Sequence, residues 1–294
     1  MLVLATGVTF TFFLLPFYFE VVMPELPEVE TIKRDLEPAI SNKKIIDVTV
    51  RRSTLVKEPG LREFKRLVLD ACCLGIMRRG KLLVIELSTA RHQRVFLTVH
   101  LKMSGQLISG PADPKSRVSF HLSDGTFLSY NDQRALGELR VVKDWRTLNV
   151  VRTMGPEPLS KDFTVKTFTR GLERRTTKIK PLLLEQSFIA GIGNIYAAEA
   201  LFLAGISPLR KANTLSRDEA RRLFDNIRVV LKKAIRCRGS SFSNYRDGRG
   251  QKGTFSRHFL VYGRKGAACL RCETPVQKIN LGGRGTYFCA KCQK

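Results

Sequence analysis

The apolar positions of this chain change their period along its length, and each change marks a different kind of element. Val29, Ile32, Leu36 and Ile40 recur at near-helical spacing and predict a helix over 28–39. From Ile45 the spacing falls to alternation. Strands are predicted over 45–50, 81–87, 94–99, 117–122, 127–131 and 138–143, with Asp124-Gly125 as a hairpin turn. Short strands joined by tight turns predict a β-sandwich over about 24–153. The pattern breaks at Met154-Gly155-Pro156-Glu157-Pro158, and helices are predicted beyond it at 164–172, 180–186, 195–204 and 217–236. A glycine-rich basic stretch, 239–253, separates these helices from a cysteine-bearing end. The chain is therefore of the α+β class. Its expected units are a catalytic sandwich over 23–153, a helical unit over 154–253 and a cysteine module over 254–294.

Residues 1–22 stand apart as a hydrophobic leader. The stretch MLVLATGVTFTFFLLPFYF carries no charge, which suits a marginal membrane span or signal anchor. It lacks the basic start and small-residue cleavage site of a secretory signal, and Pro16 interrupts it. The first basic residue is Lys33, so no positive flank sets an orientation. A misassigned start codon is the expectation, with translation beginning at Met23.

Charge narrows the function. Lys and Arg number 51 against 26 Asp and Glu, a net charge of +25 spread over the whole chain. A field of that sign recruits a polyanion, and nucleic acid is the commonest. An anionic membrane surface would call for an amphipathic basic helix, which the pattern does not provide. Of seven cysteines, Cys72, Cys73 and Cys237 look unpaired, as in a reducing compartment, so a cytoplasmic location is expected. The other four form Cys269-x-x-Cys272 and Cys289-x-x-Cys292, the spacing of a zinc ribbon. Four thiolates leave no open position for water, so one Zn2+ there is structural. Between the pairs, Gly282-Gly283-Arg284-Gly285 lets an arginine approach a phosphate closely.

Candidate chemistry concentrates in Met23-Pro24-Glu25-Leu26-Pro27-Glu28-Val29-Glu30. Once Met23 is removed, Pro24 presents a secondary amine, and α-amino groups titrate near roughly 7.7–8.0. Such a nitrogen attacking a sugar C1′ forms an iminium, with Glu25 placed to move a proton at the same carbon. A plainer reading is that Pro24 and Pro27 only open a helix. Elsewhere, Ala190-Gly191-Ile192-Gly193-Asn194 is a turn whose N–H groups can hold a phosphate, with Asn194 as helix cap or anion donor. Lys81, after Arg78-Arg79-Gly80, can reach a phosphate or protonate a leaving group, unless the run is a solvated edge. Met103, at a strand end before a glycine turn, is either core or a wedge into the base stack.

Together MPELPEVE, RRGKLL, HLKMSG, GIGNIYAAEALF, VYGRKG and FCAKCQK resemble the formamidopyrimidine-DNA glycosylase family, from Met23 to Lys294. The resemblance implies an N-terminal β-sandwich with an N-terminal helix, a helix-two-turns-helix domain and a four-cysteine zinc finger. It implies excision of oxidised purines such as 8-oxoguanine and formamidopyrimidines from double-stranded DNA, then β,δ-elimination at the abasic site. A monomer without an obligate protein partner, in the bacterial cytoplasm, is the default expectation. Carried over, Pro24 is similar to the Schiff-base nucleophile and Glu25 to the proton donor of base release. Lys81 matches the proton donor of β-elimination and Arg284 the zinc-finger arginine of δ-elimination. Asn194 matches a phosphate-binding asparagine, and Lys115, Arg134 and Arg175 fall at DNA contacts. Met103, Arg134 and Leu136 fall on the positions that fill the gap left by a flipped base, Leu136 where the family usually carries phenylalanine. The stretch 239–253 resembles the family's base-capping loop. Two alternatives stand beside this: an endonuclease VIII-like enzyme for oxidised pyrimidines, disfavoured by Leu26-Pro27, and a non-catalytic DNA-binding protein if the leader is retained.

Overall fold

A computed structural model describes residues 23–241 and 244–294. The leader and the expectations placed on it lie outside the described residues. Among the described residues, no helix is long and apolar enough to cross a membrane.

The described chain opens with helix α1 (Leu26–Ile40), whose Leu26, Val29, Ile32, Leu36 and Ile40 are fully buried. It begins earlier than periodicity predicts, because Pro27 suits the first turn and Glu28 closes a capping box onto the Glu25 N–H at 3.0 Å. The β elements follow as β1 (Ile45–Val50), β2 (Val56–Glu58), β3 (Cys72–Arg79), β4 (Leu82–Ser88), β5 (Arg94–His100), β6 (Gly105–Gly110), β7 (Val118–Leu122), β8 (Phe127–Asp132) and β9 (Glu138–Val142), with α2 (Leu61–Val68) between β2 and β3. One sheet runs β1-β7-β8-β6 and the other β2-β9-β5-β4-β3, antiparallel except for the β2/β9 pair. Their inner faces and α1 share one core, in which Phe64 of α2 meets Phe120 of β7.

The helical part comprises α3 (Asn149–Arg152), α4 (Val165–Glu173), α5 (Ile179–Leu184), α6 (Asn194–Ala204) and α7 (Arg217–Arg236). The longest, α7, starts on a Ser216/Glu219 capping box and buries one stripe, including Leu223, Ile227 and Leu231. By contrast α6 carries apolar residues on every side, and all of it but Asn194 and Leu203 is buried. It forms the centre of a second core that runs on into the C-terminal hairpin β10 (Gln277–Leu281) and β11 (Arg284–Phe288).

The two cores are joined by arginines. Arg78 pairs with Glu30 of α1 and with Glu157, at 2.9 Å each. Arg79 donates to the backbone carbonyls of Met154 and Gly155. The basic run before Lys81 is thus no solvated edge. It lies at the end of β3 and holds the sandwich against the segment that leads into the helices.

Candidate active site

Glu25 is the group around which the site is assembled. It is buried, and its carboxylate reaches out of the N-terminal segment to the start of α6, accepting from Gly193 N–H at 2.7 Å and Ile195 N–H at 3.0 Å. A carboxylate at the positive end of a helix satisfies two of its unpaired donors. A side chain on residue 193 would collide with Glu25, which explains the glycine there. The cap of α6 is therefore Glu25, supplied from a distant part of the chain. Asn194 becomes the first helical residue and points elsewhere.

Asn194 donates from Nδ2 to the Gly285 carbonyl at 3.0 Å, and its Oδ1 accepts from Lys180 Nζ at 2.5 Å. Lys180 is fully buried and also meets Thr286 Oγ1 at 2.8 Å. These bonds tie α5 and α6 to the hairpin that carries Arg284. Sequence reasoning missed Lys180. Its signal was a lysine inside an otherwise apolar run, Ile179 to Leu184, where burial demands a partner.

The electrostatics are of a closely coupled acid–base cluster. Burial raises the Glu25 pKa, and the cation on Lys81 partly opposes it. Burial lowers the Lys81 pKa, against the pull of Glu25 and Glu28, while Arg284 lowers it further. Glu28 is pushed up to about 7, by burial first and then by the charge on Glu25. It accepts from Tyr196 Oη and Ser240 N–H, the latter at 2.7 Å. His100 is pulled down to about 4 by burial and by Lys102, and its Nδ1 accepts from Lys102 N–H at 3.1 Å. Glu28 and His100 both lie in motifs visible in the sequence, yet neither had been given a role.

A cleft of about 850 Å³ opens over this cluster. Met23, Glu25, Lys81, Met103, Asn194 and Arg284 line it, and Leu136, 46% exposed, stands at its wall. Pro24 is buried between two lining residues, Met23 and Glu25, and in the chain as it stands its nitrogen is the amide of Met23. The remaining expected residues lie outside this cleft. Lys115 is exposed over a separate cavity of about 520 Å³ shared with Arg51, Arg117 and Arg246. Arg175 lines another, beside Arg174 and Phe188, and forms an ion pair with Glu185 at 3.7 Å. Arg134 is exposed on the turn that presents Leu136, its N–H bonded to Ser104 Oγ and Asp132 Oδ1.

Behind Arg284, the sulfurs of Cys269, Cys272, Cys289 and Cys292 all lie within 4.8 Å of one another. Two of the separations are 3.9 and 3.5 Å, close to the ~3.8 Å edge of a tetrahedron with ~2.3 Å zinc–sulfur bonds. The donor set fits one structural Zn2+, which holds the hairpin and takes no part in the chemistry.

Comparison with known proteins agrees with this geometry. Residues 23–139 match the formamidopyrimidine-DNA glycosylase N-terminal domain, residues 154–246 the formamidopyrimidine-DNA glycosylase H2TH domain, and residues 266–294 a zinc finger found in FPG and IleRS. A formamidopyrimidine-DNA glycosylase of Pelotomaculum thermopropionicum is 42% identical over 278 residues, covering 92% of this chain and 99% of its own. That of Streptococcus mutans is 39% identical over 278 residues, covering 92% and 100%. Among solved structures, the MutM (Fpg) protein of Thermus thermophilus superposes with a TM-score of 0.82 at 38% identity, covering 92% of this chain and 98% of that one. The Lactococcus lactis Fpg in complex with DNA containing an abasic site gives 0.84 at 36% identity, covering 92% and 99%. Fold and site together define a zinc-finger DNA glycosylase with abasic-site lyase activity, a DNA-repair enzyme. The chain belongs to the formamidopyrimidine-DNA glycosylase family.

Proposed function

We propose that this enzyme removes oxidised purines, 8-oxoguanine and formamidopyrimidines, from double-stranded DNA and then cuts the abasic strand by β,δ-elimination, with Pro24 as its nucleophile. The observation that carries the reading is the convergence of Glu25, Lys81, Asn194 and Arg284, from separate parts of the chain, on one cleft whose wall includes Met23. Removal of the chain through Met23 turns the Pro24 amide into a secondary amine at that wall. In support, Lactococcus lactis relatives are bound to DNA containing Fapy-dG and to DNA containing an abasic site.

The steps follow from the groups present. The basic surface, including Lys115, Arg134 and Arg175, holds the phosphates, while Met103, Arg134 and Leu136 fill the gap behind a flipped nucleotide. Pro24 nitrogen attacks C1′, the glycosidic bond breaks and the base leaves with its electron pair. Burial raises the pKa of Glu25, and its carboxyl gives a proton to the sugar ring oxygen as the C1′–O4′ bond opens and the iminium forms, the N–H proton of the attacking amine passing to solvent. The iminium acidifies the C2′ hydrogen. Loss of that proton expels the phosphate on the 3′ side with Lys81 as proton donor, and a second elimination on the 5′ side engages Arg284. The protein acts as a monomer in the cytoplasm.

The substrate assignment is tested by single-turnover excision from duplexes carrying 8-oxoguanine, a formamidopyrimidine or an oxidised pyrimidine. Release of the two purine lesions at least about tenfold faster than the pyrimidine is expected, a difference of ~1.4 kcal/mol at the transition state. Faster release of the pyrimidine would assign the site to the endonuclease VIII-like class instead.

A further inference from the structure

The C-terminal end of α7 carries a feature that the chemistry above does not use. Arg238 has φ +60°, the left-handed region that favours glycine, immediately before Gly239 at +80°. An arginine held there argues that its side chain is needed. Its guanidinium spans two carboxylates that are almost wholly removed from solvent, Asp35 on α1, 3% exposed, and Asp247 in the following loop, 0% exposed. Nη2 meets Asp35 Oδ2 at 2.5 Å, while Nε and Nη2 meet Asp247 Oδ2 at 2.8 and 2.5 Å. Asp247 Oδ1 in turn accepts from the backbone N–H groups of Arg249 and Gln251, and Asp35 Oδ2 from Gly248 N–H. Arg249, well exposed, adds a second cation to Asp35 at 3.2 Å.

The same loop touches the catalytic cluster at its other attachment. Ser240 N–H donates to Glu28 Oε1 and Tyr245 Oη to the Glu28 carbonyl. Glu28 in turn accepts from the Glu25 backbone N–H. The loop is therefore fastened to α1 at two points, Glu28 beside the cleft and Asp35 further along, and at the second Arg238 is the cation that bridges both carboxylates. Without it, Asp247 keeps only the backbone donors of its own turn among these contacts, and faces Asp35 across a buried gap with like charge.

We propose that Arg238 is a positioning residue for base release. By neutralising Asp35 and Asp247 together it holds the loop on α1, and so keeps Ser240 on Glu28 and Glu28 under Glu25. Its effect reaches the glycosylase step through Glu28 and Glu25. Lys81 and Arg284, which serve the later elimination steps, stand on other elements, just before β4 and at the start of β11. This inference rests on the proposed function, and its test separates the two.

The test uses protein with a free Pro24 and two duplexes, one carrying 8-oxoguanine and one a preformed abasic site. Arg238→Gly relieves the backbone strain while removing the side chain and its guanidinium, and an unchanged urea midpoint checks that the fold is retained. Single-turnover base release is expected to fall about tenfold, with cleavage of the abasic duplex within about twofold of wild type. Adding Asp247→Asn, which keeps the Oδ1 acceptor and deletes the charge, is expected to recover base release several-fold. Unchanged base release, equal loss on both duplexes, or no recovery in the double variant would each overturn the role given to Arg238. Failure of the unmutated protein on both duplexes would instead overturn the proposed function.

Discussion

Leu136 stands at the cleft wall with 46% of its surface exposed, on a turn fixed by the Asp132 carboxylate, which accepts from the N–H groups of Arg134 and Gly137. A leucine so placed fills a gap but offers no ring to stack on an orphaned base, and base–aromatic stacking is worth about 1–3 kcal/mol. Leu136→Phe is therefore expected to tighten binding to abasic-site DNA by about tenfold, measured by fluorescence anisotropy at fixed salt. At the same scale, Lys81→Met leaves Glu25 without the cation that opposes its burial, so the Glu25 pKa rises further. Strand cleavage at a preformed abasic site should fall by about a hundredfold or more in gel assays, while DNA binding changes little. Candidates set in distinctive local motifs were legible in the sequence: Glu25, Lys81 and Arg284 each sit in one, and the structure brings all three to the same cleft. Lys180 was not, because its partners Asn194 and Thr286 are remote in sequence and only the fold brings them near.

Among elements, the junction of α1 and α6 decides how the site responds to pH. Glu28 has its pKa raised to about 7 in the folded protein, above the usual carboxylate value of 4.5. A raised acid binds more protons folded than unfolded, so its contribution is full below the unfolded value and is lost as pH rises towards 7. Stability should thus decline across that window, by an amount on the order of a few kcal/mol. Glu28→Gln should flatten the decline, as read from urea midpoints between about pH 4.5 and 7.5. The elements with clean periods were read correctly, with α7 and β1 matching their predicted bounds. Those missed have physical reasons. In β3 the register shifts between Cys73 and Gly75, which breaks the alternation, and α2 makes too few turns to establish a period. The β6 strand lies between glycines, and β2 is very short and pairs in parallel with β9. Of the two roles expected of Asn194, helix cap or anion donor, the first is taken by Glu25, a competitor that no local window reveals.

For the molecule as a whole, the surplus of 51 basic over 26 acidic residues gives the affinity for a polyanion, and the four-cysteine module aims one arginine of that surplus at the cleft. Stripping Zn2+ with a chelator should release the β10–β11 hairpin, free Arg284 from the site and abolish DNA binding, while the sandwich, whose core is separate, keeps its β signal in circular dichroism. The central claim concerns one nitrogen. Borohydride trapping on an abasic duplex, followed by peptide mapping of the adduct, should be run on two preparations, one beginning at Pro24 and one retaining the residues through Met23. The expected result is a covalent adduct at Pro24 in the first and at most a trace in the second. Equal trapping in both, or an adduct mapped to a lysine, would contradict it.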